Sequence, residues 1–214
     1  MNTYKIYVGG EFKATKKELE VTNPHNNELV GITYIAQKEE LDAAILKAES
    51  VLKEMKELPS YKKYEILMKI ASSISADKER LAILLSREAA KPLKFAKVEI
   101  ERGIQTFIVA AEESKRLPKE YISIDWTKPG ENKEGLVKYF PVGIIAGIAP
   151  FNFPLNLAVH KIAPAIASGN PIILKPARST PLSVLELAKI IDKTDLLKEQ
   201  YLFCQWTGRQ ETSL

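Results

Sequence analysis

Residues 139–181, YFPVGIIAGIAPFNFPLNLAVHKIAPAIASGNPIILKPARSTP, constrain this chain more than any other stretch, because Lys161 is the only charge before Lys175. A run of about 18 or more uncharged apolar residues raises the question of a membrane span. The prolines argue against one. Pro141, Pro150, Pro154, Pro164 and Pro171 would interrupt a spanning helix repeatedly, and Asn152 and Asn156 would need partners in lipid. The same punctuation predicts a buried crossover: a strand at Val142–Ile148 covered on both faces, a turn at Ala149–Phe153, and a helix from Pro154 to about Ser168. Gly169 and Asn170 end that helix, and Pro171–Leu174 forms a second strand. Apolar strands joined by a helix imply a parallel pair in an α/β sheet with a right-handed connection.

The preceding residues alternate between two patterns. Tyr4–Tyr7, Gly9-Gly10 and Glu11-Phe12 predict a hairpin, Leu19 and Val21 a short strand, and Val30, Ile32 and Tyr34 a half-buried one. Four amphipathic helices then follow in series. Their stripes are Leu41, Ala44, Ile45, Ala48, Leu52; Tyr64, Leu67, Ala71, Ile74; Leu81, Leu84, Leu85, with Asp77 as a cap; and Ala96, Ile100, Ile104, Phe107, Ala111. Residues 118–140 return to strand character around a Lys128-Pro129-Gly130 turn, which fits a surface hairpin. Charge is interspersed: 31 basic and 27 acidic side chains give +4, without the clustering of a nucleic-acid footprint. Cys204 is the sole cysteine, which excludes an internal disulfide and makes a reducing cytoplasm the expected compartment.

The block P-V-G-I-I-A-G-I-A-P-F-N-F-P, followed by K-I-A-P-A-I-A-S-G-N and I-L-K-P-A, resembles the aldehyde dehydrogenase superfamily, with the likeness running from about Tyr7 to Leu197. A family chain is usually more than twice as long, so the resemblance implies its amino-terminal part. The implied fold is an incomplete α/β one: a parallel Rossmann-like sheet with helices, amino-terminal edge strands and a β arm that pairs subunits. The implied organisation is 1–117 and 141–197 for cofactor binding, 118–140 for the arm, and 198–214 for a tail unlike the family. The segment Glu88-Ala89-Ala90-Lys91-Pro92 resembles the family's E-T-G-K-P, and its departures at Ala89 and Ala90 are expected to cost little.

Read by itself, Asn152 serves equally as a helix cap or as an amide donor to an oxyanion at the carboxyl end of a parallel strand. The resemblance makes it the asparagine that stabilises the thiohemiacetal oxygen during aldehyde oxidation. It also implies a cofactor site at Ala149, Pro150 and Phe151 (where the family often has Trp) and at Lys175, Pro176, Ala177 and Arg178. Lys175 would bind the adenosine ribose or phosphate. Arg178 replaces a glutamate that many NAD-preferring relatives use for the ribose hydroxyls, and a guanidinium suits a phosphate instead. NADP is therefore favoured over NAD, although a surface arginine without a ligand would read the same way. Thr180 is expected to cap the next helix with Pro181 at its first position. His25 and His160 make no metal constellation, and His160 reads as a core or pocket-edge group.

The family's cysteine nucleophile, glutamate base and cofactor-side glycine loop have no counterpart here. Cys204, in Tyr-Leu-Phe-Cys-Gln-Trp, matches nothing around that nucleophile. The expectation is an amino-terminal fragment of an NAD(P)-dependent enzyme acting on a small-molecule aldehyde, inactive alone and homo-oligomeric at full length. A non-enzymatic nucleotide-binding or subunit-pairing module and one half of a split enzyme are the alternatives. The tail carries a separate expectation. Restoring one base after the codon of Leu196 can recover a Pro-x-Gly turn and an apolar strand, which suggests a frameshift and residues from about Lys198 that are disordered or poorly docked.

Overall fold

The computed structural model describes residues 2–196 and the main chain of 201–203 and 205–206. Strands β1 (Ile6–Val8) and β2 (Glu11–Lys13) form the expected hairpin across Gly9-Gly10. Strands β3 (Glu18–Thr22) and β4 (Leu29–Ala36) pair antiparallel. Ile32 and Tyr34 are only half-buried, whereas Gly31, Thr33 and Ile35 on the other face of β4 are buried.

The helical series is α1 (Lys38–Ser50), α2 (Leu52–Glu57), α3 (Ser60–Ala76), α4 (Lys78–Ala89) and α5 (Leu93–Ser114). The first expected helix is thus two, parted where Val51 leaves helical geometry at φ −107° and ψ 4°. Asp77 stands at the start of α4 but does not cap it. Its carboxylate accepts from the Arg80 guanidinium instead, with Nε to Oδ1 at 2.9 Å.

The crossover comes next, as β7 (Ile145–Ile148), α6 (Pro154–Ser168), β8 (Ile172–Lys175) and then α7 (Leu182–Asp192). Strands β7 and β8 are parallel, with Ile145 opposite Ile172 and Ile148 opposite Lys175. One expectation is corrected here. The strand starts at Ile145, not Val142, since the chain bends at Gly143 with φ +110°, and β7 is not covered on both faces. It is the outer strand of its sheet, so Ala146 and Ile148 stay exposed, Ile148 at 69%.

The five-stranded sheet runs β2-β1-β9-β8-β7, where β9 is Tyr201–Phe203, parallel to β8 and antiparallel to β1. A two-residue strand β10, Gln205–Trp206, pairs with β4. The expectation that the chain beyond about Lys198 would not dock is therefore not met at these main-chain positions. Ladder pairing asks only for strand-compatible backbone, and Tyr-Leu-Phe has it whatever its reading frame. The remaining tail, 197–200, 204 and 207–214, lies outside the described residues.

Away from β7, both faces of the sheet are covered. Tyr7, Ile172 and Leu174 join the main core with α3 to α7, while Ile6, Val8 and Ile173 face the smaller cluster around Ala36 and Ala44 of α1. Strands β5 (Lys119–Ser123) and β6 (Glu134–Lys138) form a separate two-stranded ribbon that leaves Tyr121 and Trp126 more than 70% exposed. No helix among the described residues is long and apolar enough to cross a membrane.

Candidate functional site

Two turns leave the sheet at the carboxyl ends of neighbouring parallel strands, the position where ligands settle in open α/β sheets. The first, Ala149 to Phe153, links β7 to α6. Ala149 is buried and extends the ladder, donating its N–H to the Lys175 carbonyl at 3.0 Å. Pro150, Phe151 and Asn152 are exposed. The second turn links β8 to α7, with Lys175 half-buried, Pro176 buried, Ala177 half-buried and Arg178 exposed. A cleft of about 810 Å³ brings Phe151, Ala177 and Arg178 together against Val21 and Glu88, whereas Asn152 and Lys175 do not line it.

The expected Thr180 cap is not found, nor is the alternative of a cap from Asn152, for one reason. Helix α6 has no side-chain cap from its preceding residues, and the Asn152 amide makes no hydrogen bond among the described residues. Its first free N–H groups, on Leu155 and Asn156, donate to Glu99 Oε1 of α5 at 3.1 and 3.2 Å. Likewise Thr180 does not cap α7. Pro181 occupies the cap position rather than the first turn, and the Thr180 hydroxyl is buried without a partner. The N–H groups of Leu182 and Ser183 donate to Glu88 of α4 at 2.7 and 3.0 Å. A carboxylate from a distant helix replaces the local cap at each helix start, where negative charge is favourable.

Glu99 is wholly buried and pairs with Lys91, whose ammonium also donates to the Asn152 carbonyl at 3.0 Å and lies 4.4 Å from the Phe153 ring centroid. The conformation of the Asn152 turn is thus tied to α5 through one ion pair. Burial pushes the Glu88 carboxyl up to about 7, outweighing the lowering effect of its Ser183 and Leu182 donors.

Sequence reasoning missed Glu88, Lys91 and Glu99. A signal was available, because Glu88 and Glu99 fall on the apolar stripes of their helices, in register with Leu81 and Leu85 and with Ala96 and Gly103. The judgement that Ala90 departs at little cost is also corrected: Ala90 ends α4 in the left-handed region, at φ +47° and ψ +35°. A Cβ is unfavourable there. His160 is exposed at a pocket edge on α6, 3.4 Å from the Thr106 hydroxyl.

The charges of Lys175 and Arg178 suit an anionic dinucleotide, and of the two only Arg178 lines the cleft. Arg178 makes no ion pair among the described residues, and Lys175 stands beside it at the strand end. The parallel β7–β8–β9 run of this mixed sheet, with helices packed on it, is a Rossmann-like α/β arrangement. The profile of the aldehyde dehydrogenase family matches residues 12–210, and the chain belongs to that family. It is 42% identical over 190 residues to a lactaldehyde dehydrogenase of Methanococcus aeolicus, covering 88% of this chain and 39% of that protein. Identity to a 3-sulfolactaldehyde dehydrogenase of Priestia aryabhattai is 35% over 195 residues, covering 91% and 40%. Among solved structures, aldehyde dehydrogenase 21 of Physcomitrella patens, in complex with the reaction product succinate, superposes with a TM-score of 0.94 at 35% identity, covering 97% of this chain and 44% of that one. The NADP-dependent glyceraldehyde-3-phosphate dehydrogenase of Bacillus halodurans, complexed with NADP, gives 0.93 at 29% identity, covering 97% and 44%. The chain therefore spans about two fifths of the length of these relatives.

Proposed function

We propose that this chain is the amino-terminal, cofactor-binding part of a cytoplasmic enzyme that oxidises an aldehyde to a carboxylic acid with NADP. The observation that carries the reading is the Asn152 turn: an exposed, unbonded amide at the carboxyl end of β7, beside the Lys175–Arg178 turn of β8. Asn152 Nδ2 donates to the carbonyl oxygen as it gains negative charge, and Lys91 holds the turn's main chain from behind. Lys175 and Arg178 hold the adenosine side of the cofactor, with the Arg178 guanidinium on the 2′-phosphate. The nicotinamide, when bound, takes the hydride.

The substrate is a short aldehyde with polar substituents, as the names of the lactaldehyde and sulfolactaldehyde relatives suggest. The cysteine that would add to it is supplied from outside the described residues, and Cys204 is not that cysteine. The 214-residue chain alone accordingly turns over no aldehyde. The β5–β6 ribbon, with Tyr121 and Trp126 exposed, pairs with another subunit. The tail after Leu196 reflects a shifted reading frame, which sequencing of the locus tests directly.

Calorimetric titration of the chain with NADP⁺ and NAD⁺ tests the cofactor reading. NADP⁺ should bind more tightly, and Arg178→Glu should remove or reverse the preference. Equal affinities, or a preference that Arg178→Glu leaves unchanged, would refute the role of Arg178.

A further inference from the structure

The cleft that holds Arg178 has a carboxyl group in its wall. Glu88 of α4, 1% exposed, borders it together with Ala177, Arg178 and Thr180 of the β8–α7 turn. The same carboxyl accepts the N–H groups of Leu182 and Ser183, so the start of α7 also lies against it. The hydroxyls of Thr180 and Ser183 are buried at this turn without partners. A protonated carboxyl has one O–H to donate, and these oxygens are the idle acceptors there. Burial pushes Glu88 up to about 7, so both of its charge states are populated near neutral pH.

The other ionisable groups around Glu88 are already paired, screened or neutral. Glu99 of α5 pairs with Lys91, and Glu186 of α7 pairs with Arg80 at 2.8 Å and with Lys189 at 2.5 Å. Tyr4, just before β1, keeps its phenol proton, because burial and then Glu186 raise it. Glu20 of β3 is exposed on the lip of the cleft, where water and salt screen it. The cleft thus combines Arg178, without an ion pair among the described residues, and one buried acid whose charge follows pH.

We propose that Glu88 is the proton-linked partner of an anion site at Arg178: an anion held there favours the neutral form of Glu88, and its binding takes up one proton. The inference rests on the reading of this turn as the seat of the cofactor's phosphate. Coupling of this kind is reciprocal, so the proton favours the anion as much as the anion favours the proton. Below pH 7 Glu88 already holds its proton, and the ligand meets the Arg178 cation without a buried negative charge beside it. As pH rises through 7 that charge appears and affinity falls, levelling once pH exceeds the raised value of the complex. The expected fall is about three- to tenfold.

The test follows the amide resonances of Leu182 and Ser183, whose acceptor is Glu88, by NMR from about pH 5 to 9. Samples contain sodium chloride, sodium sulfate at matched ionic strength, or NADP⁺. Sulfate has no proton of its own to exchange in this range. In chloride both amides should titrate with a midpoint near 7, and the titration should be absent in Glu88→Gln. Sulfate and NADP⁺ should each raise the midpoint by about 0.5–1 pH unit, and Arg178→Gln should cancel the rise. Arg178 is exposed, so that substitution does not threaten the fold. A midpoint in the ordinary glutamate range, one that neither anion moves, one that persists in Glu88→Gln, or a rise undiminished in Arg178→Gln would overturn the proposal. Saturation by NADP⁺ with an unmoved midpoint sinks the linkage and leaves the cofactor reading standing. A midpoint raised by sulfate without any NADP⁺ binding supports the linkage and removes the cofactor reading.

Discussion

Replacing Glu99 with Gln should destabilise the chain by about 3.5–4 kcal/mol, although it changes one atom on a side chain that touches no solvent. The carboxylate meets three donors: the N–H groups of Leu155 and Asn156 and the ammonium of Lys91. A glutamine keeps one oxygen for the two N–H groups but turns an NH2 toward Lys91. Breaking a buried ion pair by removing one partner costs about 3–5 kcal/mol. Lys91 retains 15% side-chain exposure and can swing partly into water, which places the loss at the lower end. Loss of negative charge at the start of α6 adds about 0.5–1 kcal/mol. Urea unfolding followed by far-UV circular dichroism measures the sum. Hydrogen exchange at Leu155 and Asn156 reports whether the loss is local to the Asn152 turn. In a Lys91→Met background the same substitution should cost about 1 kcal/mol, because the stranded ammonium is gone. A loss below about 1 kcal/mol in the parent chain, or the same loss in both backgrounds, would refute the coupling of Lys91 to Glu99.

Ala90→Gly should stabilise the chain by about 0.5–1 kcal/mol, the relief of the left-handed conformation less the added freedom of the unfolded glycine, and thermal unfolding checks it. The Glu88 carboxyl titrates near 7 in the folded state against 4.5 ordinarily, so the native state holds its proton where the unfolded state has released it. Its contribution is therefore fully present below pH 4.5 and is lost as pH rises through 7, by about 3 kcal/mol in all. Stability curves at pH 4.5, 6 and 8 should show this slope in the parent and lack it in Glu88→Gln; a parent without the slope contradicts the assignment.

The crossover was legible because its signals are local. Pro154 opens α6, Gly169 ends it at φ +79°, and the uninterrupted apolar run between Ile172 and Leu174 marks β8. The exposure of β7 was not, since an edge strand and a central strand can carry the same residues, and the difference lies in what pairs alongside. Asn152, Lys175 and Arg178 were singled out through linked motifs, and the two strand ends bring their turns side by side. The caps were misassigned to Asp77 and Thr180, and an Asn152 cap was left open, because a sequence window weighs only neighbours. The true acceptors lie 56 residues away for Leu155 and 94 for Leu182. Such pairings follow from how α4 and α5 pack on the crossover, and no local pattern encodes them beyond a carboxylate sitting on an apolar stripe.

Those distant acids also bear on how a dinucleotide could bind without a G-x-G-x-x-G turn. In sheets of this kind the free N–H groups at a helix start form a ready anion site, and glycines let a pyrophosphate approach them. Here the starts of α6 and α7 are already taken: Glu99 accepts from Leu155 and Asn156, and Glu88 accepts from Leu182 and Ser183. A phosphate brought to either start would meet a carboxyl group in place of open donors. Close backbone approach at these two helix starts then serves no purpose, and glycines that would permit it are not needed there. On the proposed reading, the charge of the ligand falls instead to side chains on the turn after β8, Lys175 and Arg178, which lie outside these capped ends. Such a site reads the ligand through the identity of a few side chains rather than through backbone shape. On this argument one substitution at Arg178 can change which cofactor is bound while both helix starts, and the Asn152 turn between β7 and α6, stay as they are.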